Sequence, residues 1–212
     1  MKTLFPHNTA GGRVEAHLKH GIDRYLRRLI PAQCERLHSV VTFIVSDEFM
    51  VYGNRFTLLS DYAGMIVEEK RIWEKYYLPT SVKGKIVLDV GAGCGETAAF
   101  YLQKGAERVI AIESNRIVCS ILRRNVQANN LNVTVIEHSF RLTHLSLKHD
   151  FLKLDIEGGE RALLCFEGKI SPCILEVHES GIEELSSQLM TRFGLRKAFS
   201  SKGEETCLLC SP

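Results

Sequence analysis

The sequence carries little net charge, no long apolar run and no internal repeat, and each absence removes a class of function. Lys and Arg number 27 against 25 Asp and Glu, a net charge of +2 in 212 residues. That balance argues against an extended nucleic-acid surface, although Arg24, Arg27, Arg28 and Arg36 give the N-terminal segment a local positive bias. No uninterrupted apolar run approaches the ~20 residues of a membrane span. The opening stretch, Met1 to Asn8, has no apolar h-region, so no secretory signal is expected. Among the seven cysteines, Cys207 and Cys210 form a C-x-x-C, but no second tight pair or His pair completes a metal set. Their spacing fits a terminal strand with the two thiols on opposite faces. Cys119, Cys165 and Cys173 lie inside apolar runs, which predicts buried, reduced thiols and a cytoplasmic protein.

What is present is ordinary in bulk and ordered in pattern. An apolar share of 45% and a charged share of 25% suit one sizeable globular domain with a small appendage. Apolar residues at helical spacing from Gly12 to Ile30, stopped by Pro31, predict an amphipathic helix. Short β-prone runs at Val40–Val45, Phe49–Tyr52 and Phe56–Leu59, split by Ser46-Asp47-Glu48 and Gly53-Asn54-Arg55, predict an antiparallel meander. A further helix is expected from Ala63 to Tyr77. Residues 1–80 thus read as an appendage, a substrate cap or a homodimer contact, on a core of residues 81–212.

From Lys85 strands and helices alternate. Strands are expected near 85–90, 108–112, 132–137, 151–155 and 172–177, with helices near 96–104, 115–129, 158–166 and 181–192. Leu195–Ser200 and Thr206–Cys210, joined through Ser201-Lys202-Gly203, read as a closing hairpin. The segment from Ser139 to His149 is too short for a full helix with its loops. The predicted fold is α/β: a Rossmann-like, seven-stranded, mostly parallel sheet with a C-terminal antiparallel hairpin strand.

The chemistry concentrates where the first core strand ends. Ile86-Val87-Leu88-Asp89-Val90 runs into Gly91-Ala92-Gly93-Cys94-Gly95 and opens a helix at Glu96-Thr97, and a second apolar run ends on Glu113. Glycines let the backbone approach a nucleotide closely, and an acid ending the second strand takes two ribose hydroxyls. Dinucleotide sites usually read G-x-G-x-x-G, with a pyrophosphate on the helix N-terminus. Here the spacing is G-x-G-x-G with Asp89 before it. A carboxylate at that mouth suits a ligand with an ammonium group and no phosphate, as in S-adenosylmethionine.

The run VLDVGAGCGETAAF resembles the first motif of class I S-adenosylmethionine-dependent methyltransferases. Asp150 to Glu160 (DFLKLDIEGGE) and Ile174 to His178 (ILEVH) are similar to the FkbM-type branch, with the likeness running from about Phe43 onward. That branch implies O-methylation of sugars or other hydroxyl-bearing small molecules. The closing hairpin is also typical of class I methyltransferases and not of dinucleotide dehydrogenases.

Several strand-end acids then acquire roles. Asp89 and Gly91 are expected at the amino-acid part of the cofactor, with Ala92, Gly93 and Gly95 allowing close approach, and Glu113 with Ser114 at the ribose. The resemblance implies an adenine contact from Glu137 or Ser139, with Phe140 stacking on the ring. Asp155 ends the fourth strand, where such enzymes face the transferring methyl, and is the first candidate for general base, followed by His178 and Glu176. Glu160 reads as an acid favouring the following helix N-terminus. The alternative that Asp155, Glu176 and His178 hold a divalent metal stays open, while the expectation is metal-free chemistry. No N-P-P-Y-like run follows the fourth strand, which argues against amino-directed methylation of nucleobases. An RNA or protein methyltransferase, with the arginine-rich helix holding a large substrate, and a non-catalytic cofactor-binding module remain alternatives. A nicotinamide oxidoreductase is disfavoured by the glycine spacing and by Asp89.

Overall fold

The computed structural model describes residues 41–44, 48–57, 73–156, 158–178, 182–200 and 206–212. The expected helix over 12–30 lies outside them, as does most of the one expected over 63–77. The chain divides into two compact units, 1–71 and 72–212.

In the first unit, β1 (Val41–Ile44), β2 (Glu48–Val51) and β3 (Asn54–Thr57) form an antiparallel meander in that order. The second turn differs from expectation by one residue pair. Tyr52 and Gly53 occupy it, both with positive φ (49° and 76°), and Asn54 and Arg55 join the strand. A two-residue loop with both φ values positive matches the right-handed twist of the flanking strands. Tyr52 tolerates the strained conformation while its carbonyl accepts the Asn54 side-chain amide at 3.1 Å.

The second unit begins with helical residues 73–76 and then alternates. Its elements are β4 (Ile86–Val90), α1 (Glu96–Gln103), β5 (Arg108–Glu113), α2 (Arg116–Ala128), β6 (Val133–Glu137), β7 (Phe151–Asp155), β8 (Cys173–Val177), α3 (Ile182–Phe193), β9 (Arg196–Ser200) and β10 (Cys207–Cys210). They build a seven-stranded sheet in the order β6-β5-β4-β7-β8-β10-β9. β6 through β8 are parallel to one another, and β10 runs antiparallel to both β8 and β9. Short 3-10 helices at Leu142–Ser146 and Glu160–Cys165 fill the two connections flanking β7. The second stands where an α-helix was expected. Its backbone closes i→i+3 bonds, as from Ala162 to Gly159 and from Phe166 to Leu163, over six residues.

The central strands are covered on both faces, which is why β4 reads as an uninterrupted apolar run and all five of its residues are buried. One face packs Leu88, Val90, Ile112, Leu154 and Leu175 with Leu185 and Leu189 of α3. Toward α1, an aromatic chain links Trp73, Phe100, Tyr101 and Phe151, with ring centroids 5.3–6.3 Å apart. α2 starts where Asn115 Oδ1 accepts the backbone N–H groups of Ile117 and Val118. Cys119, Cys173, Cys207 and Cys210 are buried free thiols, whereas Cys165 is exposed, against expectation. The 3-10 path of its segment turns the side chain to solvent.

The topology also decides where a ligand can sit. The chain runs outward from β4 through β5 to β6, then returns to place β7 on β4's other side. Ligands of open α/β sheets bind at the carboxyl ends of strands where the order reverses. Here that is the junction of β4 and β7, with Val90 opposite Leu154.

Candidate active site

The turn after β4 is held against the end of β7. Gly91 has φ +75°, and a Cβ there would stand 1.7 Å from the Asp155 carbonyl oxygen, so only glycine fits. The N–H groups of Gly91 and Ala92 both donate to Ile112 O, tying the turn to β5 as well. Gly91 and Gly93 are partly exposed, while Ala92 and Gly95 are buried beneath them. Glu113, at the end of β5, accepts from Gly93 N–H at 3.1 Å and Asn115 N–H at 2.7 Å. Burial raises its carboxyl above the usual range, and those two N–H groups oppose the shift. A carboxylate has about four acceptor positions, so Glu113 retains capacity for a diol. Ser114 beside it is exposed.

Asp89 lies deeper than a simple ligand contact would require. It is fully buried: Thr97 donates to its Oδ2 at 2.6 Å, and Lys153 Nζ stands 3.4 Å from its Oδ1. Burial pushes its carboxyl up, with Lys153 and Thr97 pulling against it. Asp89 therefore braces the turn from within. Glu96 opens α1, folds back against Gly93 and is also buried; burial pushes its carboxyl up to about 7.

After β6 the expected adenine contacts separate. Glu137 is exposed and paired with Arg123 at 2.6 Å, and Ser139 is exposed. Phe140 is half-buried against the core and lies 6.2 Å from the His144 ring.

The ends of β7 and β8 bring the three remaining candidates together. His178 Nε2 lies 3.2 Å from Asp155 Oδ1 and 3.4 Å from Glu176 Oε1, and its Nδ1 faces Thr206 Oγ1 at 3.4 Å. Glu176 also accepts a hydrogen bond from the Tyr77 hydroxyl. Their donor atoms all lie within 4.8 Å of one another. Burial alone would lower the imidazole's affinity for a proton, but hydrogen bonds and charge from Asp155 and Glu176 reverse this and push His178 up to about 11. Asp155 shows the mirror effect, since Lys153 and His178 outweigh burial and hold its carboxyl low. At neutral pH an imidazolium thus stands between two carboxylates, a donor and not a base. Glu160 is fully buried and accepts the N–H groups of Ile156 and Gly158, which makes it a brace of the loop.

Lys153, Thr97, Tyr77 and Thr206 are the partners sequence reasoning missed. For Lys153 a signal existed: a cation in the middle of the apolar strand Phe151-Leu152-Lys153-Leu154-Asp155 must be paired once buried.

Comparisons with known proteins bear on the fold and on its central segment. Residues 87–154 match the family described as "Methyltransferase domain". Protein arginine N-methyltransferase 6 of Xenopus tropicalis is 39% identical over 57 residues, 26% of this chain and 17% of that one. Protein arginine N-methyltransferase 1 of Dictyostelium discoideum is 25% identical over 130 residues, 58% of this chain and 35% of its own. This chain therefore spans about a third or less of the length of these curated relatives. Among solved structures, Aeropyrum pernix fibrillarin, crystallised with natively bound S-adenosyl-L-methionine, superposes with a TM-score of 0.50 and 18% identity, over 68% of this chain and 73% of that one. The fold is that of Rossmann-like methyltransferases. The segment matched by the methyltransferase-domain family runs from β4 to β7.

Proposed function

We propose that the protein is an S-adenosylmethionine-dependent methyltransferase of FkbM type, acting on the hydroxyl of a small molecule or sugar. The observation that carries this reading is the abutment of Gly91 on Asp155, which sets a cofactor-type turn beside a cluster of two carboxylates and an imidazole. The residues present fit the cofactor: two half-exposed glycines with positive φ, and a strand-end carboxylate with spare acceptor capacity. Gly91 and Gly93 would line the amino-acid part and Glu113 the ribose, with Ser114 alongside. Glu137, Ser139 and Phe140 are the adenine-side candidates.

When bound, S-adenosylmethionine supplies a sulfonium methyl to an attacking nucleophile. Asp155, 24% exposed, accepts the hydrogen bond of the acceptor hydroxyl and takes its proton. His178, protonated, holds Asp155 in orientation, and Glu176 with the Tyr77 hydroxyl holds His178. Alignment of the acceptor against a fixed turn supplies much of the remaining acceleration.

Calorimetric titration with S-adenosylmethionine, S-adenosylhomocysteine and NADH tests the reading. Binding of the first two alone supports it, and binding of NADH overturns it. A screen of hydroxylated acceptors with S-adenosylmethionine then tests the acceptor class. A second reading, a protein or RNA acceptor, draws on the relatives named as arginine N-methyltransferases. Turnover on peptide or RNA with steep salt dependence would replace the small-molecule assignment.

A further inference from the structure

Lys153 sits mid-strand in β7 with 2% of its side chain exposed. An ammonium so buried costs several kcal/mol unless each of its three donors finds an oxygen. Gly91 O accepts a hydrogen bond from it at 2.7 Å, and two carboxylate oxygens stand in ion-pair range, Asp89 Oδ1 and Asp155 Oδ2, each at 3.4 Å. These belong to three different parts of the site. Gly91 is the first glycine of the turn, Asp89 is the brace beneath it, and Asp155 heads the carboxylate cluster. Continuing outward, Asp155 leads to His178, then to Glu176, then to the Tyr77 hydroxyl. Charge alternates from Asp89 through Lys153, Asp155 and His178 to Glu176, and Lys153 is where this ion-pair path passes from the turn to the cluster.

Resting on the cofactor reading above, we propose that Lys153 is a positioning residue that ties the cofactor turn to the acceptor-side cluster. Its ammonium locks the Gly91 carbonyl and spans Asp89 and Asp155, so the two halves of the site keep one geometry. A lysine needed only to fill the core would be replaceable by an apolar side chain of similar length. Here the apolar replacement leaves two carboxylates facing each other with no cation between them. Removing one of those charges should then restore part of what was lost.

The test is titration of S-adenosylhomocysteine into wild type, Lys153→Met, Lys153→Arg, Asp155→Asn and the double variant Lys153→Met/Asp155→Asn, each checked for folding by circular dichroism and melting. Lys153→Met should weaken binding about tenfold or more, Lys153→Arg should recover part of it, and the double variant should bind more tightly than Lys153→Met alone. Binding by Lys153→Met equal to wild type, or no recovery in the double variant, overturns the inference. Should Lys153→Met not fold, Lys153→Arg decides: weaker binding at an unchanged melting temperature supports the link, and unchanged binding overturns it. If wild type binds neither S-adenosylhomocysteine nor S-adenosylmethionine, the cofactor reading itself falls and this inference with it. Failure of the link alone leaves wild-type binding intact, so the two failures are distinguishable.

Discussion

The ends of β4 and β7 are neighbours in the sheet, and each brings an aspartate to the same lysine, yet the two aspartates are put to opposite uses. Asp89 is wholly enclosed, one oxygen on the Thr97 hydroxyl and the other facing Lys153. Asp155 shares Lys153 but also meets His178, and it is 24% exposed. Burial dominates the first and raises its carboxyl; two cations dominate the second and lower it. Residue type and strand position are similar, so the environment alone separates a brace from a presented group. The glycine turn is made rigid from below, and the strand end beside it is left open with a hydrogen-bonding carboxylate.

The sharpest way to break this contrast is to remove each carboxylate in turn. Asp89→Ala leaves Lys153 partly unpaired and Thr97 without its acceptor, so it should cost about 3–5 kcal/mol in chemical denaturation and abolish cofactor binding. Asp155→Ala should spare cofactor binding and lower turnover about 10²–10⁴-fold with an accepted hydroxyl substrate. Intact turnover in Asp155→Ala would remove it from the catalytic role.

Glu96 extends the contrast on the turn side. Its carboxyl is pushed up from 4.5 to about 7 by burial. Below pH 4.5 both folded and unfolded chains hold the proton and nothing is lost. As pH rises from 4.5 to 7 the unfolded chain ionises first, so stability falls, and above 7 the loss is complete. Glu96→Gln escapes this, and above pH 7 it should be more stable than wild type by on the order of 3 kcal/mol, with the gain vanishing near pH 4.5. Thermal melts at both pH values check it, and a pH-independent difference would contradict the assignment.

On the strand-end side the expected effect is spectroscopic. With His178 pushed up to about 11, its ring resonances should not titrate between pH 5 and 9. The stability it contributes is complete below pH 6.5 and is lost as pH rises toward 11. In Asp155→Asn the imidazole loses its nearest carboxylate, so its titration should move down toward the ordinary range. A wild-type midpoint near 6.5 would mean that His178 is free to act as a base after all.

The core was legible because its signals are local. β4 and β7 are apolar runs that can only be strands buried on both faces, Gly91-Ala92-Gly93 can only be a tight turn, and Asn115 caps α2 where an Asn before an apolar period should. The misses have equally specific causes. The segment from Glu160 to Cys165 looks helical in pattern, but its backbone tightens to 3-10 and turns Cys165 outward. The turn falls at Tyr52–Gly53, one position earlier than the Gly53-Asn54-Arg55 pattern implies, because a tyrosine rarely takes positive φ and carries no turn signal in the sequence.

Within the site, sequence spacing determined which acids end strands: Asp89, Glu113, Glu137, Asp155 and Glu176 all stand at or next to such ends. Alternation along a strand and the glycine pattern are properties of neighbouring residues, so they survive in one dimension. What those acids do was decided only by the fold. Strand order set β4 beside β7 and carried Lys153 across to Asp89, while Glu137 was left at the edge, exposed and paired with Arg123. A carboxylate's ionisation depends on burial and on charges a few ångströms away. Those neighbours come from β7, β8 and the residues before β4, segments distant in sequence that only the packed sheet brings together.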